Sequence, residues 1–251
     1  MSKTIVITGA GAGLGRALAR RFAADGERVV LLGRRLAPVQ AVAAEIGTHA
    51  LALECDVSAP NSVRAAFATI AERRGEVDVL INNAVCYQPF LIAEASDEQV
   101  LATIGTNFAG AVFCARAAIP LMARGSHIVN VSSESVAIKF PHLVLYQASK
   151  AALERFSEGL HHELDPSGIR VTTVRAGSMF EEGKTWDVDP EARMRFAQAA
   201  AAAGIQLRGR AMSHYTSIAS VFRALIDLPE DVQVGTVTLH ARHAGDARPE
   251  G

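Results

Sequence analysis

Tyr146 and Lys150 stand four residues apart in Tyr146-Gln147-Ala148-Ser149-Lys150, and Ser133 lies thirteen residues before the tyrosine. On a helix, a spacing of four puts two side chains on one face. A phenol is a weak acid, with a free pKa of about 10. An ammonium held beside it favours the phenolate and lowers that value. A pair tuned in this way can give a proton to a carbonyl oxygen or take one from an alcohol. Ser133 follows the apolar run Ile128-Val129-Asn130-Val131, where a buried strand gives way to a loop. Its hydroxyl can hydrogen-bond a substrate oxygen. A tyrosine and a lysine also share ordinary surface helices, so the chemistry depends on what else the chain brings to them.

The other end of the chain supplies a second signal. Thr4-Ile5-Val6-Ile7 reads as a short buried strand. Thr8-Gly9-Ala10-Gly11-Ala12-Gly13-Leu14-Gly15 follows, and then a helical pattern from Arg16 to Phe22. Strand, glycine loop and helix form the first half of a dinucleotide-binding unit. The glycines let backbone approach a pyrophosphate, and the helix N-terminus offers free N–H groups. Without its flanking strand and helix, such a loop would read only as a tight turn. Cofactor choice falls at the end of the second strand, Arg28–Leu32. An NAD site usually carries an acid there for the ribose 2′-hydroxyl. This chain carries Gly33-Arg34-Arg35. No carboxylate repels a 2′-phosphate, and Arg34 can pair with one bidentately. NADP(H) is therefore favoured, with NAD(H) as the alternative.

Several elements must position these groups. Helices are expected over Leu36–Ile46, Pro60–Arg74, a stretch capped by Ser96-Asp97-Glu98-Gln99, about Gly105–Ala123 (carrying Asn107), Tyr146–Leu164 and Tyr215–Leu228. Strands are expected at Ala50–Cys55, Val77–Ile81, Ile128–Val131, Arg170–Val174 and Val234–Leu239. Alternating strands and helices predict a doubly wound α/β fold: seven mostly parallel strands with helices on both faces. Ligands then collect at the carboxyl ends of the strands, where Gly9, Arg34, Asp56 and Asn83 all fall. Residues 175–213, with an alanine-rich helix around Pro190–Ala203, read as a substrate-binding insertion. Residues 244–251 read as a flexible tail. The whole chain, 1–251, is expected to be one domain.

Composition narrows the function class. The chain has 251 residues, 49% hydrophobic and 20% charged, and a net charge of −1. No basic surface of the nucleic-acid type is implied. Cys55, Cys86 and Cys114 suggest neither a disulfide framework nor a metal cluster. No metal is expected. The lack of a signal-peptide pattern or of a run of ~18 uninterrupted apolar residues predicts a cytoplasmic protein away from membranes.

Taken together, these residues resemble the short-chain dehydrogenase/reductase family in its single-domain form. The resemblance runs from Thr4 to about Leu239. The family's T-G-x-x-x-G-x-G is Thr8, Gly9, Gly13 and Gly15, within a cofactor loop that also holds Gly11 and Leu14. Its strand-end acid is Asp56, followed by Val57, and its N-N-A segment is Asn82-Asn83-Ala84. Its helix asparagine is Asn107, its serine Ser133, and its Y-x-x-x-K Tyr146 and Lys150. The resemblance implies a Rossmann-type fold and hydride transfer between a nicotinamide cofactor and a carbonyl or secondary alcohol. Tyr146 would be the acid/base, and Ser133 would hold the oxygen. Lys150 would tune Tyr146 and bind the ribose, and Asn107 would hold a water linking Lys150 to solvent. Asp56 would touch the adenine, and Met179 would lie near the nicotinamide amide. The chain departs from the pattern at Val85, Ala176, Glu181 and the residues after Leu239, which lack a glycine pair. Related chemistries on this fold include dehydration and epimerisation, and a nucleotide-sensing protein without turnover is a further alternative. Phe90, Leu91, Phe140, Leu143, Val144, Met179, Phe180 and Trp186 are candidates to line an apolar or aromatic substrate pocket. His142 reads as a loop residue. A homo-oligomer, tetramer or dimer, is expected from the long helices.

Overall fold

The computed structural model describes residues 2–181, 186 and 188–242. Seven strands form one sheet: β1 (Thr4–Thr8), β2 (Arg28–Gly33), β3 (Ala50–Glu54), β4 (Val79–Asn82), β5 (His127–Ser133), β6 (Arg170–Ala176) and β9 (Thr236–Leu239). Their order is β3-β2-β1-β4-β5-β6-β9, and every pairing is parallel. The order reverses between β1 and β4, which opens a crevice at the strand ends there.

Alternation along the strands builds two cores. Ile5, Ile7, Leu31, Ile81 and Val129 pack on one face against Leu18 and Phe22 of α1 (Gly13–Ala24) and Phe222 of α8 (Tyr215–Ile226), with α2 (Leu36–Ile46) beside them. Val6, Val30, Leu80 and Ile128 pack on the other face. There they meet Phe67 and Ile70 of α3 (Pro60–Arg74), Cys114 of α5 (Gly110–Ala118) and Leu160 of α6 (Val144–Leu164). Phe22 and Phe222 are fully buried. Truncating either to alanine should cost about 3–5 kcal/mol.

Two expected stretches differ. The helix placed at Gly105–Ala123 is instead the second half of a longer run. It starts at α4 (Asp97–Ile104), where Ser96 and Gln99 make a full capping box, and passes through a π turn (Gly105–Ala109) into α5. A glycine stands at the start of the π turn and another directly after it. A Cβ on Gly110 would come 2.8 Å from Val57 and 3.1 Å from the Gly105 carbonyl. By length and composition, Asp97–Leu121 could cross a membrane. Here one face of it packs into the core through Thr103, Asn107, Ala111, Cys114, Ala115 and Ala118.

The second difference lies after Ala176. Two short strands, β7 (Met179–Phe180) and β8 (Ser213–His214), pair in parallel outside the main sheet, with α7 (Pro190–Ala202) between them. This pairing brings the two ends of the expected substrate segment together. Residues 182–185, 187 and the expected tail at 244–251 lie outside the described residues.

Candidate active site

The glycine loop joins β1 to α1 in a turn that only small residues allow. Gly9 and Gly13 have positive φ (66° and 53°), and a Cβ on Gly15 would sit 2.4 Å from the Gly9 carbonyl. Gly11 lies against Pro38 of α2, and Leu14 is buried beneath the loop. Ala12, the N-cap of α1, gives no side-chain cap, and the first turn holds no acid. Its N–H groups therefore remain available to an anion, so the loop suits a dinucleotide pyrophosphate.

Thr8, at the end of β1, and Asn83, just after β4, brace this loop. The Thr8 hydroxyl accepts from the main-chain N–H groups of Asn83 and Ala84, both at 2.9 Å. The Asn83 amide donates to the Thr8 and Gly9 carbonyls at 2.9 and 3.3 Å. Asn83 therefore holds the loop through its side chain. Asp56 accepts from the Ser58 N–H and hydroxyl at 2.9 and 2.6 Å, beside buried Val57. Arg34 and Arg35 are exposed, and neither has an ion-pair partner among the described residues. Met179 is half-buried in β7.

Ser133, Tyr146 and Lys150 converge at the end of β5. Tyr146 and Lys150 are 8% and 2% exposed. Lys150 Nζ donates to the Val131 carbonyl at 2.7 Å. Burial pushes the Tyr146 phenol up to about 12, and a hydrogen bond with Ser133 pulls the other way. Burial lowers Lys150 to about 8, partly offset by Glu154. The expectation that Lys150 would lower the tyrosine's pKa is thus not met in the chain alone. Desolvation outweighs any help from the ammonium, which is engaged with the strand.

Asn107 is 1% exposed in the π turn. Its amide oxygen accepts from the Cys86 N–H at 2.7 Å, and its nitrogen donates to the Cys86 carbonyl at 2.9 Å and to Ser149 Oγ at 3.1 Å. The side chain thus pins the segment after β4. A cavity of about one water's size lies among Thr8, Asn82, Asn107 and Lys150.

Above Tyr146 lies an aromatic stack. Tyr87 approaches Tyr146 with ring centroids 4.7 Å apart, and Trp186 stacks on Tyr87 at 4.8 Å while donating to its carbonyl at 3.2 Å. Phe196 meets Trp186 edge-on at 5.8 Å and Phe140 at 6.2 Å, with Leu143 buried beside them. Of the expected lining residues, Phe140, Leu143 and Trp186 join this group. Leu91, Val144 and Phe180 do not, because their side chains face outward at 38%, 56% and 36% exposure. Phe90 is tied by its N–H to the carbonyl of His142, a loop residue with φ 60°.

Reading the sequence missed Tyr87, Phe196, Glu134 and Arg210. Glu134 follows Ser133 and accepts from Arg210 Nη2 at 2.9 Å and Ser178 Oγ at 3.2 Å. The Arg210 guanidinium also lies 5.5 Å from the Phe140 ring centre. Glu134 was findable as a charge beside a candidate serine. Arg210 and Phe196 lie far away in sequence and gave no local signal.

Comparison with known proteins agrees with this arrangement. A family model described as short chain dehydrogenase matches residues 3–184. Carbonyl reductase family member 4 of Danio rerio is 35% identical over 70% of this chain and 76% of its own. A short-chain dehydrogenase from Streptomyces avermitilis superposes with a TM-score of 0.84 at 28% identity, covering 96% of this chain and 89% of that one. One from Burkholderia cenocepacia, solved in complex with NADP, gives 0.80 at 28% identity over 95% and 96%. With the parallel sheet, the glycine loop and the Ser133/Tyr146/Lys150 group, these matches make the chain a member of the short-chain dehydrogenase family of NAD(P)-dependent oxidoreductases.

Proposed function

We propose that the chain transfers a hydride between NADP(H) and a carbonyl or secondary alcohol, with Tyr146 as general acid/base. The reading rests on the convergence of Ser133, Tyr146 and Lys150 at the strand ends, beside a glycine loop shaped for a pyrophosphate. When bound, the nicotinamide supplies or accepts the hydride. Gly9, Gly11, Gly13, Leu14 and Gly15 admit the pyrophosphate, with Thr8 and Asn83 holding the loop. Asp56 and Val57 border the adenine end and Met179 the nicotinamide end. Lys150 also holds the ribose.

Ser133 hydrogen-bonds the substrate oxygen as charge develops on it. Tyr146, neutral at pH 7 and pushed further from ionising by burial, is poised to donate a proton in reduction. Lys150, lowered to about 8, can pass a proton on near neutral pH. The cavity beside Asn107 gives room for the water that would link it to solvent. The Asn107 side chain is spent on Cys86 and Ser149, so its main chain is the group left to hold that water.

Arg34, exposed and without an ion-pair partner among the described residues, supports NADP(H) over NAD(H). The aromatic stack over Tyr146 supports an apolar or aromatic substrate. Exposed Leu101 and Val144, on α4 and α6, support a homo-oligomer. A cytoplasmic location fits the three free cysteines. The test follows absorbance at the nicotinamide band across a carbonyl and alcohol panel with each cofactor. Turnover, faster with NADPH than NADH, is expected. Tight nucleotide binding without turnover on any redox substrate would favour a sensing protein instead.

A further inference from the structure

Three consecutive residues of β5 are each held by a different turn of α6. Val131 accepts from Lys150 through its carbonyl, at 2.7 Å. Ser132 donates from its hydroxyl to Glu154 Oε1, at 2.6 Å. Ser133 lies close enough to the Tyr146 phenol to pull its pKa down against burial. Tyr146, Lys150 and Glu154 follow at i, i+4 and i+8, so they share one face, with about 6 Å of rise between neighbours. Glu154 also binds the next strand. Arg175, the register partner of Ser132 in β6, donates to both its oxygens, at 3.0 and 2.6 Å. The carboxylate is only 13% exposed. A bidentate pair at this depth fixes geometry more than it adds stability.

We propose that Glu154 is a positioning residue for the reaction: locked to Ser132 and Arg175, its carboxylate sets the height of α6 on the sheet and fixes a negative charge one helical turn from Lys150. The inference rests on the reading of Lys150 and Tyr146 as the proton machinery. On its own helix, Lys150 stands one turn from Tyr146 and one turn from Glu154, and the Glu154 carboxylate is the charge that acts on it. From β6, Arg175 bears on it through Glu154. Thr8, Val57, Asn82, Thr106, Asn107 and Gly110 line the side across the small cavity, all uncharged. Glu154 is therefore the negative charge that opposes burial of the ammonium. Arg175 weakens that help by partly neutralising the carboxylate.

The two partners should then move Lys150 in opposite directions, which loss of stability alone cannot do. The chain has four lysines, Lys3, Lys139, Lys150 and Lys184. Labelling them at Cε with 13C gives a substrate-free titration of Lys150 by NMR, assigned with Lys150→Arg. Relative to wild type, Glu154→Gln should lower its midpoint by about one pH unit. Arg175→Gln should raise it, and Glu154→Asp should leave it near the wild-type value. In turnover, Glu154→Gln should move the alkaline limb of kcat down by a similar amount, with KM changed less than about threefold. Unchanged midpoints in both variants, or shifts of the same sign, would overturn the proposal. The titration needs no substrate, so it stands apart from any failure of the hydride-transfer reading.

Discussion

The cofactor side and the substrate side of this molecule are built from different materials. On the cofactor side the shape is made by backbone: positive-φ glycines, a helix start with no side-chain cap, and the Thr8–Asn83 brace. All of it comes from residues within the first 84, and most from one turn. On the substrate side the shape is made by side chains from Tyr87, Glu134, Phe140, Trp186, Phe196 and Arg210, more than a hundred residues apart at the extremes. A backbone site is the same wherever its glycines recur, so it can serve one common ligand. A side-chain site can be re-specified by single substitutions while the sheet stays as it is.

The sharpest break falls where the two sides meet. Tyr146→Phe keeps the ring against Tyr87 and removes only the hydroxyl. Turnover should fall about 10²-fold or more, while NADPH binding by fluorescence titration stays near wild type. Near-normal turnover would remove Tyr146 from the mechanism. On the cofactor side, Arg34→Ala should weaken NADPH binding by about one to two powers of ten, the value of a charge-assisted hydrogen bond. NADH binding should hardly change. Equal loss with both cofactors would mean that Arg34 does not anchor the 2′-phosphate. Adding an acid at Gly33 is a poorer probe, because a Cβ there would come 2.8 Å from Val39 Cγ1.

On the substrate side, Arg210→Ala should lower kcat/KM by about 3–10-fold, the loss of one partly exposed pair. Cofactor affinity should be unaffected, and a fall in NADPH binding would show that the two sides are not separable in this way. The smallest effect at neutral pH concerns the shared sheet. Buried His127 bonds Thr172 at 2.8 Å, and burial holds its pKa at about 3. The native state thus excludes a proton that the unfolded chain accepts. Stability is full above about pH 6.5 and falls as the pH drops toward 3, by roughly 3 kcal/mol at pH 4. Urea unfolding at pH 7 and pH 4 should show that loss, and a smaller one in His127→Gln. An equal loss in the variant would assign acid sensitivity to other groups.

The same difference in material explains what the sequence made legible. Leu36–Ile46 and Pro60–Arg74 are found with the expected bounds, because each runs from a clear strand end to a glycine, Gly47 or Gly75. The Ser133/Tyr146/Lys150 group could be found from spacing, since one helix face and one strand end carry it. Glu154 was within reach by the same rule, four residues past Lys150. The pairing of β7 with β8 has no local signal, because two-residue strands lack a period. Nor does local pattern tell that Arg210 reaches Glu134, or that burial would outweigh the Lys150 ammonium at Tyr146. Both depend on what the fold packs around them.

The π turn at Gly105–Ala109 has a separate consequence, for how the chain tolerates a change in length. Such a turn takes up one residue more than an α turn, so α4 and α5 keep the phase of an unbroken helix one residue shorter. The surplus residue sits beside the site, where the turn it makes holds Asn107 against Cys86 and Ser149. Deleting Thr106 should let the helix close into a regular ladder with Cys114, Ala115 and Ala118 still facing the core. A deletion inside α5 would instead throw the rest of that helix out of frame and turn Arg116 toward the position of Ala115. One residue can thus be lost from this 25-residue run without loss of the fold. It is the one that gives Asn107 its place.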